Sequence, residues 1–417
     1  MNEPKESPAG SGDLFDIAIV GGGIVGSALA CALADSDYRV ILIDSNSAKA
    51  FSKADFFDAR VVSLASAAQD FLRDLGVWEN MAAQRLSPFE SMHVWDAEGT
   101  GDVLFHCDDV QQPALGHIVE NTLLVSALQE KLRSEDARYA NIHWACPDTV
   151  RNINFTPEKT EGHGVWDIDL RSRKTVRATL MVAADGASSS MRKLAGIQTL
   201  EWDYGHSALI ATVKTQKPHA RCARQRFLTQ GPLAFLPLWD AQGDEHWCSV
   251  VWSTSPAQAD DLRAMPEADF AQTLERAFES RLGAITDVRG RFVFPLRQRH
   301  AQLYYREQIV LMGDAAHTIH PLAGQGVNLG LMDAKVLAEE LLIAKARSLS
   351  PAHSSVLQRY QRRRRGANVS MAATMEFFLR IFARRELPLR WLRNMGMRSL
   401  NQVPFLKREI MRRAMGL

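Results

Sequence analysis

Three glycines near the N-terminus, Gly21, Gly23 and Gly26, carry the spacing G-x-G-x-x-G. That spacing has a chemistry, the binding of a dinucleotide pyrophosphate. The first glycine permits a tight turn, the second lets the backbone approach the phosphates, and the third lets a helix lie close on a strand. The segment before them, Phe15-Asp16-Ile17-Ala18-Ile19-Val20, has the pattern of a buried strand, and Ile24 to Ala34 after them has helical propensity. A helix starting there points its free N–H groups and positive dipole end at the phosphates. A second apolar stretch, Arg39-Val40-Ile41-Leu42-Ile43, ends at Asp44, eighteen residues after Gly26, where a carboxylate can accept hydrogen bonds from a ribose. The alternative is a glycine-rich turn in a non-binding α/β unit, and strand, helix and acid in this order argue against it. FAD and NAD(P) both stay open on this evidence. Ile17 to Ala34 is also a run of eighteen uncharged residues, but its three consecutive glycines make it strand, turn and helix rather than a membrane span.

Two further strand ends carry polar residues. Leu180-Met181-Val182-Ala183-Ala184 runs into Asp185-Gly186, with Ser189 and Arg192 beyond. By residue type alone this is a strand ending in a turn that caps a helix. Ile309-Val310-Leu311-Met312 runs into Gly313-Asp314-Ala315-Ala316-His317, followed by His320, Pro321, Gly324, Gln325, Gly326, Val327 and Asn328. A long helical pattern then begins, with Leu329, Met332, Val336, Leu337 and Leu341 on one side. Glycines just before it let backbone N–H groups and the dipole end face a bound anion, and a reduced flavin is such an anion. His317-x-x-His320 with Asp314 has the outline of a metal set. No H-E-x-x-H helix surrounds it, so both histidines read as structural and no metal is expected. Ser188 to Ser190 lack a G-x-S-x-G elbow and read as turn and capping residues.

The elements that position these groups must come from a folded chain. Its 417 residues give two to three domains' worth of length, and 46% hydrophobic with 23% charged residues excludes disorder and low-complexity classes. Five cysteines, at 31, 107, 146, 222 and 248, form no C-x-x-C pair and fit a reducing compartment. Residues 1–13 are polar, without the apolar stretch of a secretory signal, and read as a disordered lead. Between 200 and 296 the pattern alternates at Ala208 to Val213, Trp247 to Trp252 and Arg291 to Phe294, which predicts strands of a second sheet. The last 67 residues carry fifteen Lys and Arg against three Glu, a net +12 that leaves −11 for the preceding 350 in a chain of net +1. Met371, Met375, Phe378 and Phe382 lie at i, i+4, i+7 and i+11, an apolar stripe on a basic helix. Two readings stay open: packing of the stripe on the nucleotide domain, and peripheral contact with an anionic membrane surface. Nucleic acid is not expected, because no reading motif accompanies the charge.

In order and spacing, Gly21-x-Gly23-x-x-Gly26, Asp185-Gly186 and Gly313-Asp314 resemble the motifs of single-component FAD-dependent aromatic hydroxylases related to para-hydroxybenzoate hydroxylase. The stretch from His320 to Asp333 is similar to the signature of the ubiquinone-biosynthesis hydroxylases within that group. The likeness extends to Asp58-Ala59-Arg60, Gly116-His117-Ile118-Val119-Glu120-Asn121, Ala234-Phe235-Leu236-Pro237-Leu238 and Arg413-Ala414-Met415-Gly416-Leu417. Asn121 stands where many members of the wider group carry an arginine.

The resemblance implies an α/β protein with a discontinuous Rossmann-like FAD-binding domain from 14–75, 106–198 and 297–350. An inserted β-sheet substrate domain would come from 76–105 and 199–296, and a basic helical region from 351–417. It implies that Gly21, Gly23 and Gly26 hold the FAD pyrophosphate, Asp44 the ribose, and Gly313-Asp314 the ribityl or pyrophosphate region. Arg60 and Asn121 would reach the cofactor, and Asp185 and Gly186 would lie near the nucleotide and the path of the reductant. His320, Pro321 and the backbone from Gly324 through Gln325, Gly326 and Val327 to Asn328 would surround the flavin ring; no substrate base is named. NAD(P)H or an electron-carrier partner would engage transiently, and O2 would react through a flavin C4a-hydroperoxide to hydroxylate a polyprenylated phenol. The implied ring position is C5 of 2-polyprenylphenol, with C6 of the demethoxy intermediate as the alternative. A non-catalytic flavin-binding role in a biosynthetic assembly is the alternative of another class. The expected setting is cytoplasmic, with contact at the inner membrane face, a protein assembly and self-association as the partner readings.

Overall fold

A computed structural model describes residues 13–47, 49–99, 101–157, 164–240, 242–319, 325–383, 394–395, 401 and 403–416. Its first sheet is built on Leu14–Val20, which pairs in parallel with Val40–Ile43 on one side and Thr175–Ala183 on the other. Ile309–Leu311 continues the sheet beyond Thr175–Ala183, and Ile142–Ala145 beyond Val40–Ile43, again in parallel. Phe15, Ile17, Ile19, Val40, Ile41, Leu180, Val182 and Val310 are fully buried. This is why these strands read as continuous apolar runs: side chains on both faces of the sheet are buried, so alternate positions are equally apolar. The helix Ile24–Ala32 packs against both Asn121–Leu132 and Gln325–Ala346.

Register aligns the strand ends. Val20 sits opposite both Ile43 and Ala183, and Ala183 sits opposite Leu311. Asp44, Gly21, Asp185 and Gly313 therefore leave one edge of the sheet within a residue or two of the same level, on four neighbouring strands. At about 4.8 Å per strand the row spans about 14 Å. The carboxyl edge of a parallel sheet is where such folds bind ligands.

The second sheet has eight strands in the order His317–Thr318, Ile285–Ala301, Thr199–Thr215, Trp247–Thr254, Gly231–Leu238, Cys222–Leu228, Ser91–Asp96 and Asp102–His106. All pairs are antiparallel except Cys222–Leu228 with Ser91–Asp96. The three alternating stretches of the sequence are strands here. One face, with Leu209, Val213, Phe235, Val250 and Trp252, is buried beneath Leu262, Phe270 and Leu274 of two helices. Alternation puts Ile210, Val251, Phe292 and Phe294 on the opposite face. Arg299 and His300 pair with Thr318 and His317, which ties this sheet to the third strand-end motif.

The basic helix Ser354–Ala383 buries a stripe of Leu357, Tyr360, Arg364, Asn368 and Ala372. Outside that stripe, Arg359 and Arg363 pair with Glu340 and Glu339 on Gln325–Ala346. Met371 packs beside Ile319 and Leu329, whereas the side chains of Phe378 and Phe382 lie outside the described residues. The last helix, Pro404–Met415, buries Met411 and Met415 with Phe57 and Trp247, and its Lys407 pairs with Asp109 at 2.7 Å. Among the described residues no helix is long and apolar enough to cross a membrane.

Candidate functional site

Each glycine of the first motif has its own geometric reason. Gly21 has φ +109°, and a Cβ there would lie 2.3 Å from the Ala184 carbonyl oxygen. A Cβ on Gly26 would lie 1.9 Å from the Gly21 carbonyl oxygen, so strand and helix meet only because it is absent. Gly23 is different, because a Cβ there would meet nothing within 4 Å. The fold does not need that glycine for packing, and the open space lies where a phosphate would approach. Gly23 also begins the helix Ile24–Ala32 with no side-chain cap, which leaves the first N–H groups to a ligand.

The Gly22 peptide is clamped at both ends. Its N–H donates to Asp44 Oδ2, and its carbonyl accepts from Ser27 Oγ at 2.9 Å and from Gln129 Nε2 at 2.7 Å. The sequence singled out Asp44. It gave no sign of Gln129, which lies more than a hundred residues on in the buried face of Asn121–Leu132. Only a buried glutamine within an otherwise apolar helix face could have marked it.

The second motif is a cap with a cavity beside it. Asp185 Oδ2 accepts from the backbone N–H of Ser190 and Met191, at 2.7 and 3.1 Å. Ser189 Oγ accepts from the Arg192 N–H. These are the capping roles that the residue types imply. Gly186 has φ +80° and open space around its missing Cβ. Arg192 is buried and donates to the carbonyls of Ala315 at 2.8 Å and Ala187 at 2.9 Å, so it ties the second motif to the third. Ser188, Arg192 and Arg299 border a cavity of about 340 Å³ beside this turn.

The third motif turns once, as Gly313–Ala315. Gly313, Ala315, Ala316 and His317 are buried, and Asp314 alone in this stretch is open to solvent. Desolvation by the surrounding turn nevertheless pushes the Asp314 carboxyl above the usual carboxylate range, against the opposing influence of His317. Gly326 opens the helix Gln325–Ala346 with free space about it. Arg60 and Asn121 are brought together: the Asn121 N–H donates to the Arg60 carbonyl at 2.9 Å. The Asp58 carboxylate holds the N–H groups of Arg60 and Thr122. The Asn328 side chain is committed to the segment Ser63 to Ala65. It is buried, accepts from the Ala65 N–H at 2.9 Å and donates to the Ser63 carbonyl at 2.7 Å. Val327 is half-buried against the first core. His320, Pro321 and Gly324 lie outside the described residues, as does the side chain of Gln325.

A glycine cradle with vacant space at Gly23, an uncapped helix start, a carboxylate at the second strand end and an accessible Asp314 fit FAD as the bound group. Fold and site together define a dinucleotide-binding oxidoreductase with one large sheet attached at its third motif. The FAD binding domain family matches residues 15–375 of the chain. Over 402 residues, 96% of this chain and 98% of the relative, it is 36% identical to the 3-demethoxyubiquinol 3-hydroxylase of Escherichia coli (strain K12). Over 455 residues, 97% and 93% respectively, it is 31% identical to the mitochondrial ubiquinone biosynthesis monooxygenase COQ6 of Homo sapiens. The crystal structure of p-nitrophenol 4-monooxygenase from Pseudomonas putida DLL-E4 shares the fold, with a TM-score of 0.75 at 20% identity over 96% of this chain and 97% of that one. The chain belongs to the FAD-binding monooxygenase family and, within it, to the ubiquinone-biosynthesis hydroxylases. FAD is its cofactor, with NAD(P)H and O2 as the co-substrates typical of the class.

Proposed function

We propose that this chain hydroxylates the aromatic ring of a polyprenylated phenol in ubiquinone biosynthesis. The observation that carries the reading is an accessible apolar sheet face in a sheet tied to the cofactor edge. Phe292 and Phe294 are 46% and 40% exposed on the same strand whose far end pairs with His317. Large apolar side chains left accessible in a row mark a surface for an apolar ligand. Bound FAD supplies the redox chemistry and the activation of oxygen. The N–H groups that follow Gly23 hold the pyrophosphate, Asp44 holds the ribose, and Asp314 takes the ribityl or pyrophosphate region. Arg60 and Asn121 approach from the second crossover, Asp185 and Gly186 from the nucleotide side. Backbone dipoles from Gly326 to Asn328 favour negative charge on the ring, and the sheet keeps water from it.

For the ring position we adopt C6 of the demethoxy intermediate, because the 36% identity to a 3-demethoxyubiquinol 3-hydroxylase spans both chains almost completely. C5 of 2-polyprenylphenol is the second reading, favoured by the stretch Gly116 to Asn121 and the closing Arg413 to Leu417. Deleting the gene in its host and measuring quinones and ring intermediates by mass spectrometry separates the two. Accumulated demethoxy compound supports C6, and accumulated polyprenylphenol moves the assignment to C5. Unchanged quinone in the deletion removes support for the substrate class. Asp314→Ala is expected to express, to lose flavin and to fail in complementation; full complementation by it favours a non-catalytic role.

A further inference from the structure

Asp333 lies in the third turn of the helix Gln325–Ala346 with no solvent exposure, and four donors surround its carboxylate. Oδ2 accepts from the Gly313 N–H at 3.0 Å and from His317 Nε2 at 2.5 Å. Oδ1 accepts from Arg364 Nε at 2.6 Å and from Asn368 Nδ2 at 3.1 Å. The first pair spans the two ends of Gly313-Asp314-Ala315-Ala316-His317. One oxygen atom thus staples a five-residue turn whose single accessible side chain is Asp314.

The second pair comes from the basic helix. Arg364 and Asn368, one turn apart, fall on its buried stripe rather than on its charged outer face. Arg364 Nη2 also donates to the Leu329 carbonyl at 3.2 Å and to Asn368 Oδ1 at 2.8 Å, and Asn368 Nδ2 donates to the Tyr304 hydroxyl at 3.1 Å. Burial by itself would push the Asp333 carboxyl up, but His317 and Arg364 hold it down to about 2. A buried carboxylate persists in the charged form only when paired and fully hydrogen-bonded, and this one is. The arrangement is therefore specific to a charged Asp333 and to Arg364 as its counter-ion.

We propose that Asp333, with Arg364 and Asn368 of the basic helix, is a positioning unit for the cofactor: it fixes the Gly313–His317 turn so that Asp314 is presented to FAD. The basic helix is then part of the flavin site and not only a charged surface. This role rests on the placement of FAD at Asp314 proposed above, and not on the substrate or the ring position.

The test compares Asp333→Asn, Arg364→Lys and the double variant Asp333→Asn/Arg364→Gln with Arg362→Gln, an exposed arginine on the same helix. Far-UV circular dichroism and melting of the apoproteins report folding, and FAD titration with the visible flavin spectrum reports the site. Asp333→Asn is expected to weaken FAD binding by about ten- to a hundredfold and to alter the bound-flavin spectrum, because a displaced turn loses the preorganised contact. Arg364→Lys keeps the charge but loses the fork, and is expected to fall between Asp333→Asn and the wild type. The double variant removes the uncompensated guanidinium and is expected to recover part of the loss. Arg362→Gln is expected to bind FAD as the wild type does. If Asp333→Asn does not fold, Arg364→Lys carries the test. Lower apoprotein melting temperatures with unchanged FAD affinity and spectrum would overturn the proposal, and so would equal losses in Arg362→Gln and Arg364→Lys.

Discussion

The first and third cofactor motifs sit two strands apart on the same sheet edge, yet they are held in shape by different means. Around Gly21 to Gly26 the shape is a matter of missing atoms. Two glycines remove clashes of 2.3 and 1.9 Å, a third leaves room, and the strand and helix that carry them are adjacent in sequence. Around Gly313 to His317 the shape depends on side chains that arrive from elsewhere. Asp333 comes from twenty residues on, Arg192 from more than a hundred before, and Arg364 and Asn368 from a separate helix. A site can thus be preorganised by local sterics or by a buried polar network. The first is written in adjacent residues and easily recognised, and the second depends on partners that several separate elements must supply.

The contrast can be broken most sharply at Gly26. Gly26→Ala places a methyl group against the Gly21 carbonyl, a backbone atom that cannot give way, and is expected to cost more than about 4 kcal/mol. Thermal melting of the apoprotein reads this, and a variant that melts like the wild type would contradict the steric account. Gly23→Ala separates fold from ligand within the same loop. Its methyl group meets open space, so apoprotein stability should stay within about 0.5 kcal/mol of wild type. FAD affinity should fall by about tenfold or more, since about 1.4 kcal/mol of lost phosphate contact is a factor of ten. Unchanged FAD affinity would mean that the pyrophosphate lies elsewhere.

Asn328→Ala probes the start of the helix that follows the third motif. It leaves the Ala65 N–H and the Ser63 carbonyl without their partner, for an expected loss of about 1 to 3 kcal/mol in denaturant unfolding. Acid should act on the third motif through Asp333. Its carboxyl is held at about 2 in the folded chain against an ordinary 3.8, so its contribution is complete above about pH 4 and is lost as the pH falls toward 2. Asp333→Asn should flatten the stability profile over that interval, and a parallel profile would show that the carboxylate is not the responsible group. The smallest effect is expected on the apolar face. Phe292→Ser and Phe294→Ser should raise KM for a long-chain prenylated phenol more than for a short-chain one, by a few fold, with FAD affinity unchanged.

Much of the fold could be read along the chain. The strand patterns at Ile17 to Val20, Leu180 to Ala183 and Ile309 to Leu311 are buried parallel strands, and the alternating stretches near 210, 250 and 292 are strands of the second sheet. The capping roles of Asp185 and Ser189 were legible because a cap acts within a few residues of its own position. Gln129 and Arg364 were not legible. A buried glutamine and one arginine in a run of four look like ordinary helix residues until the partners they meet are known. The basic helix shows the same limit, since neither its charge nor its Met371-to-Phe382 stripe pointed to Tyr360, Arg364 and Asn368 as the buried residues that pack it onto the nucleotide-binding unit.

By itself the sequence determined the dinucleotide chemistry, the glycines that make it sterically feasible and the carboxylates at the strand ends, because those depend on residue type over short spans. Only the tertiary structure decided that Asp333 serves Gly313 and His317, that Asn328 serves a strand 265 residues away, and that four strand ends share one edge. The reason is that hydrogen bonds and ion pairs of buried groups are chosen among everything the fold brings near, and strand order and register set that neighbourhood.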